Sequence, residues 1–257
     1  MYIAKYGIYS IISDNQRVDS LCQEVFIIRK ILSIVLILAG ILLILAPFAT
    51  NWIIKYYSKS PEMEEITAEE IAVNQERKAE FDYSVIEDLN ISTAIEGALQ
   101  VDWDYMIGVM EIPDLNIELP ILKGVTRANL MVGVTTMKED QSMGDGNYPL
   151  AGHYVRSKEM LLADILDIEI GSSVFLTDKK TIYEYRIYDT AIVPDTATEM
   201  LSDKLASDHG KPIVSIMTCY YSSKTGKRFF ALGELVGQYP VDSPVDKDSK
   251  ENQGNIK

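Results

Sequence analysis

Cys219 ends an apolar run, Ile213 to Cys219, and small and polar residues follow it, Tyr220-Tyr221-Ser222-Ser223-Lys224-Thr225-Gly226. A second strand-like run starts at Lys227-Arg228. Two strands joined by such a loop make an antiparallel hairpin in which Cys219 and Arg228 can sit across from each other. A guanidinium beside a thiol favours the thiolate, and it can also hold an oxyanion as one develops. The alternative for Cys219 is a buried structural cysteine, since free Cys is among the most buried residue types. A cysteine nucleophile needs a histidine that first gives a proton to the leaving group and later takes one from the incoming nucleophile. His153, in Leu150-Ala151-Gly152-His153, follows a strand-like run and is the candidate. The other histidine, His209 in Asp208-His209-Gly210, reads as a turn residue bonded to backbone.

The elements that must position these residues begin at Val101, where short apolar runs alternate with Pro, Gly, Asn and Asp. Met106 to Pro113, Ile117 to Leu122, Tyr148 to His153, Ser173 to Thr177, Ile182 to Tyr188, Ile213 to Cys219 and Arg228 to Val236 read as strands. Strands at this spacing with turn signals between them predict a mainly β domain, a closed barrel or a sandwich. Helical turns at Arg127 to Leu130 and Lys158 to Ile168 interrupt it. Upstream, residues 51–100 read as an acidic, partly helical stalk, rich in Glu from Glu62 to Glu76, with one helix packing on the domain. Residues 242–257 are polar and read as a disordered tail.

Ile31 to Ala49 is almost entirely apolar, and about 19 residues suffice to cross a bilayer core. Arg29 and Lys30 precede the run, so residues 1–30 are expected in the cytoplasm and the rest outside. Trp52, Tyr56 and Tyr57 suit the outer interface. A signal peptide is the alternative, but its apolar region spans only about 7–15 residues and no A-x-A site follows here. The chain of 257 residues carries a formal charge of -14, which argues against nucleic acid as a partner. Its two cysteines, Cys22 and Cys219, lie on opposite sides of the apolar run, which excludes a disulfide scaffold. With two histidines, a His-rich metal site is poorly supported.

Taken in order, Ala151-Gly152-His153, Thr218-Cys219 and Lys227-Arg228 followed by an apolar strand resemble the His–Cys–Arg arrangement of the sortases. Ile107 to Pro113, Asn147-Tyr148-Pro149-Leu150 and Ala231-Leu232-Gly233-Glu234-Leu235-Val236 resemble that family's opening strand, the approach to its histidine and its closing strand. The absence of a proline-aromatic lid motif before the barrel makes the chain look most like class A, the housekeeping type. Where the family often has Thr-Leu-x-Thr-Cys, this chain has Ser215-Ile216-Met217-Thr218-Cys219.

The resemblance implies a closed sortase-like β-barrel over residues 101–241, with short helices, behind one transmembrane helix at 31–50. It implies a membrane-anchored cysteine transpeptidase with Cys219 as nucleophile, His153 as proton carrier and Arg228 as oxyanion partner. Its substrates would be surface proteins with a Leu-Pro-x-Thr-Gly-like (LPXTG) signal. Its acceptor would be an amine of a peptidoglycan precursor, lipid II. The segment Ile192 to Lys211 corresponds to a recognition loop, so Ile192, Pro194, Met200 and Leu201, with Ala151 and Thr218, are candidate substrate contacts. Some class A members bind calcium. Here Lys138 and Gln141 are interleaved with Glu139, Asp140 and Asp145, and a lysine among the carboxylates competes with a cation, so no metal and no cofactor are expected. The rival readings are an extracellular cysteine peptidase without transfer and a tethered binding module whose Cys and His are structural.

Overall fold

The computed structural model of the chain describes residues 26, 28–46, 48, 52, 61–88, 97, 100–158 and 160–241. The expectations for most of the N-terminal segment, for the interfacial Tyr56 and Tyr57 and for the tail after residue 241 lie outside the described residues. Two compact units divide the chain at Ala49/Thr50. In the first, helix α1 (Ile28–Ala46) is long and apolar enough to cross a membrane. It starts three residues earlier than the apolar run suggests, so Arg29 and Lys30 fall in its first turn.

The second unit is built on eight strands: β1 (Met106–Ile112), β2 (Ile117–Leu122), β3 (Val134–Thr136), β4 (Asn147–Ala151), β5 (Ser173–Thr177), β6 (Thr181–Pro194), β7 (Ile213–Cys219) and β8 (Lys227–Pro240). They close into a barrel in the order β1-β2-β3-β4-β7-β8-β6-β5. Closure removes the free edges that a sheet would otherwise expose. Two neighbouring pairs are parallel, β2 with β3 and β4 with β7. Parallel neighbours need crossovers. The first crossover carries α4 (Arg127–Val132), whose N-cap Thr126 accepts from the Asn129 N–H. The second, between β4 and β7, includes β5, β6 and α5 (Asp203–His209).

β7 is buried along its whole length, which is why Ile213 to Cys219 reads as a continuous apolar run rather than an alternation. Its buried Ser215 donates to the Asn147 Oδ1 at 2.8 Å, and the Asn147 amide donates in turn to the Met200 carbonyl. Strand pleating sends Val214 and Ile216 into the barrel interior with Ile107, Leu150, Leu176 and Tyr185. Met217 and Cys219 therefore face outward, into a second cluster with Ala151, Met137, Phe230, Val85 and Ile86.

Among the described residues of this unit, helices α2 (Pro61–Glu65) and α3 (Ala68–Gln75) lie upstream of the barrel. α3 begins with a capping box between Thr67 and Glu70, and its Asn74 amide donates to the Met106 carbonyl at 3.0 Å. The helix expected to pack on the domain is thus α3. Residues 81–88 carry a 3-10 turn at Tyr83–Val85 and run along the barrel surface, joined to it by an isolated bridge between Phe81 and Val125.

Candidate active site

The parallel pairing of β4 and β7 sets Ala151 beside Met217. Just past the strand, the Gly152 N–H donates to the Met217 carbonyl at 3.0 Å, and the Thr218 hydroxyl donates to the Gly152 carbonyl at 2.8 Å. These two bonds carry the pairing one step further and deliver His153 to the end of β7, where Cys219 lies. Gly152 has no room for a side chain, since a Cβ there would stand 2.7 Å from the Leu162 Cδ1 and 3.1 Å from the Val134 Cγ1. On the other side of β7, the antiparallel register pairs Cys219 directly with Arg228 of β8. The three residues picked from the sequence thus sit on three adjacent strand ends. Beyond them, Tyr154 meets Tyr221 edge-on at 5.8 Å, joining the residue after His153 to the loop after Cys219.

Cys219 is 3% exposed and His153 is 4% exposed. Burial raises the Cys219 thiol above its usual range; the Arg228 guanidinium opposes this, and the Asp88 and Asp195 carboxylates add to it. Burial likewise pushes the His153 imidazole down to about 4, against the pull of Asp88 and Glu87 and with a further push from Arg127. Both shifts favour the neutral forms of the two groups.

A cavity of about 500 Å³ opens beside this cluster, walled by Met137, Pro194, Leu201, Met217, Arg228 and Phe230 among others. Of the six substrate candidates, Pro194 and Leu201 line it. Ile192 does not, because β6 continues to Pro194 and pairs Ile192 with Phe229, leaving the Ile192 side chain half exposed. Met200 is buried in the cluster behind the cavity. Ala151 is fully buried in the sheet, and Thr218 is a buried strut whose hydroxyl is spent on Gly152. The segment Ile192 to Lys211 is thus a strand end, a 3-10 turn (Thr198–Leu201) and α5 rather than one loop. The sequence reading missed the contribution from upstream, where Tyr83 and Ile86 also wall the cavity.

His209 closes α5 rather than a turn. Its ring stacks on Tyr188 at 4.0 Å, and its Nε2 lies 2.8 Å from the Glu234 carboxylate rather than on backbone. Lys138 reaches the Asp203 Oδ1 at 2.7 Å, and the same oxygen accepts from the Asn147 N–H. Gln141 accepts from the Met137 and Lys138 N–H groups and donates to the Pro149 carbonyl. Both side chains that interrupt the acidic stretch are therefore engaged with the protein itself.

A family model described as "Sortase domain" matches residues 110–236. Sortase A of Listeria monocytogenes is 35% identical over 208 residues, 81% of this chain and 91% of the relative. Sortase A of Bacillus anthracis is 33% identical over 211 residues, 82% of this chain and 95% of the relative. The structure of the Listeria monocytogenes sortase A superposes with a TM-score of 0.51 at 32% identity, covering 56% of this chain and 96% of that one. Sortase C-3 of Streptococcus pneumoniae, with a TM-score of 0.56 and 19% identity over 77% of this chain and 98% of that one, shares the fold. These similarities define the class, a cysteine transpeptidase on a closed β-barrel. The chain belongs to the sortase family and within it is most like class A.

Proposed function

We propose that this chain is a membrane-anchored transpeptidase that cleaves an LPXTG-like sorting signal between Thr and Gly and joins the surface protein to an amine of lipid II. Helix α1 would hold it in the membrane with the N-terminus cytoplasmic, a direction supported by Arg29 and Lys30 at its start. The reading rests above all on the register that sets Arg228 opposite Cys219, with His153 delivered by the neighbouring strand.

In this mechanism the Cys219 thiolate adds to the threonine carbonyl carbon, and the Arg228 N–H groups hold the resulting oxyanion. As the carbon–nitrogen bond breaks, the His153 imidazolium gives its proton to the departing glycine amine. A thioacyl bond to Cys219 is left. The acceptor amine then adds to that carbonyl, His153 takes its proton, and the Cys219 thiolate departs as the new amide forms. In a buried site a lone thiolate or imidazolium is costly, whereas the pair is less so because each charge compensates the other. The Met137–Leu201–Phe230 cavity offers apolar walls for the leucine and proline of the signal.

The test is a fluorogenic sorting peptide given to the wild type and to Cys219→Ala, His153→Ala and Arg228→Ala, with and without an amine acceptor. Cleavage with a conjugated product is expected from the wild type alone, and all three variants should lose about a hundredfold or more. Cleavage without conjugation would make the chain a peptidase. Activity retained in Cys219→Ala would leave a binding module.

A further inference from the structure

Asn147 opens β4 and is buried, and both polar atoms of its side chain are engaged with other parts of the chain. The Asn147 Oδ1 accepts from the Ser215 hydroxyl of β7 at 2.8 Å. The Asn147 amide nitrogen donates to the Met200 carbonyl at 3.0 Å and to the Ser202 carbonyl at 3.2 Å. Its backbone N–H donates to the Asp203 Oδ1 at 2.9 Å. The preceding Gly146 has a φ of +50°, and a Cβ there would stand 2.6 Å from the same Asp203 oxygen, so glycine is what permits this close approach. Met200, Ser202 and Asp203, all between β6 and β7, are therefore held by one residue of β4. The residue flanked by the two bonded carbonyls is Leu201, which walls the cavity beside Cys219.

The turn that carries Leu201 has few other ties. The Met200 N–H donates to the Ala197 carbonyl and the Ser202 N–H to the Glu199 carbonyl, and both bonds stay within the turn. Met200 is the one buried residue of Thr198–Leu201. The Lys138–Asp203 pair lies at the surface, where such pairs contribute little. Asn147 and Ser215, by contrast, belong to β4 and β7, the parallel pair that brings His153 to Cys219. The cavity wall and the catalytic residues are thus referred to the same two strands.

We propose that Asn147 is a positioning residue for recognition of the sorting signal: its amide, seated by Ser215, fixes the Thr198–Leu201 turn so that Leu201 stands ready as a cavity wall for the leucine of the peptide. That a sorting peptide enters the cavity rests on the function proposed above; the hold of Asn147 on the turn does not. A wall already in place spares the peptide the cost of ordering it on binding. A buried amide with all its partners present is suited to that task, because its network is satisfied in one arrangement only. Asn147 touches neither the peptide nor the reacting atoms, so its loss should weaken recognition and spare the chemistry.

Two measurements on the full chain in detergent micelles test this, and the first needs no substrate. In Asn147→Ala the amides of Met200 and Ser202 should exchange about tenfold faster than in the wild type, the consequence of losing the bonds that anchor the turn, while the β7 amides keep their protection. Ser215→Ala leaves the Asn147 amide in place but unseats it, and should give a smaller rise. Ser215→Thr keeps the hydroxyl and should give none. The second measurement compares two fluorogenic sorting peptides, one with leucine at its first position and one with alanine there. Asn147→Ala should raise KM for the leucine peptide about tenfold, leave kcat within about twofold and change the alanine peptide little, so that the preference for leucine shrinks about tenfold. An equal loss on both peptides, or a fall in kcat alone, would overturn the proposal and leave Asn147 a structural residue. Unchanged exchange at Met200 and Ser202 would overturn it too. Should Asn147→Ala not fold, Ser215→Ala decides by the same exchange and the same pair of peptides. A wild-type chain that cleaves neither peptide would sink the function proposed above, and exchange at Met200 and Ser202 would still decide whether Asn147 holds the turn.

Discussion

Replacing His153 with Gln should remove a specific acid sensitivity from the fold. His153 titrates near 4 in the folded chain against an ordinary 6.5, with burial as the main cause. Between those values the unfolded chain carries a proton that the folded chain refuses, so stability is complete above pH 6.5 and falls as the pH drops towards 4. The difference amounts to about 3 kcal/mol when fully expressed. For a domain of this size that is a melting temperature lower by roughly 6–12 °C. Glutamine keeps much of the volume and the hydrogen-bonding capacity but has no proton to bind. Thermal melts of wild type and His153→Gln from pH 7 to pH 4 should therefore converge on acidification by that amount, whatever their separation at pH 7. Asp88 and Asp203, whose carboxyls are held below their usual range, stay ionised across this window and are common to both chains. Parallel melting curves across the window would refute the claim that His153 is held neutral by burial.

Thr218→Val removes the hydroxyl that ties β7 to Gly152 and leaves the Gly152 carbonyl short of a partner. It should lower stability by about 1–3 kcal/mol in chemical denaturation and cut kcat more than it changes KM, because the bond spaces Cys219 from His153. Gly152→Ala forces a Cβ against Leu162 and Val134, and should cost about 1–3 kcal/mol together with most of the activity. A chelator should leave turnover unchanged and added calcium should not raise it, because among the described residues no three His, Cys, Asp or Glu side chains stand together to hold a cation; loss on chelation with recovery in calcium would show otherwise.

Most strands were legible from sequence because their apolar runs are bounded by turn residues, and β7 and the start of β8 are the clearest. β3 was not, since three residues carry no readable alternation. α5 was missed because its polar seven residues bury only Ala206. The reading stopped β6 at Tyr188 and β8 at Val236, whereas the two strands pair from Thr181 opposite Pro240 to Pro194 opposite Lys227. That extension sets Ile192 opposite Phe229 and away from the cavity, while Pro194 at the strand end lines it. The Cys219–Arg228 pairing followed from hairpin logic. The meeting of His153 with Cys219 did not, because it depends on a parallel pairing between strands far apart in sequence; the chemistry made His153 the candidate, and the family resemblance added the order of the three motifs. Residues 81–88 were hidden by composition: the stretch shares the acidic character of the stalk, and nothing in Asp88 announces that its partners lie in the turn after Cys219.

The most direct test of the account is the intermediate itself. Wild-type chain mixed with an LPXTG-like peptide, quenched in acid and digested, should carry the peptide's N-terminal part, ending in its threonine, on the fragment that contains Cys219. Adding an amine acceptor before the quench should discharge it into a product joined to that amine. An acyl group found on another residue, or its absence from a chain that still turns the peptide over, would contradict the assignment of Cys219.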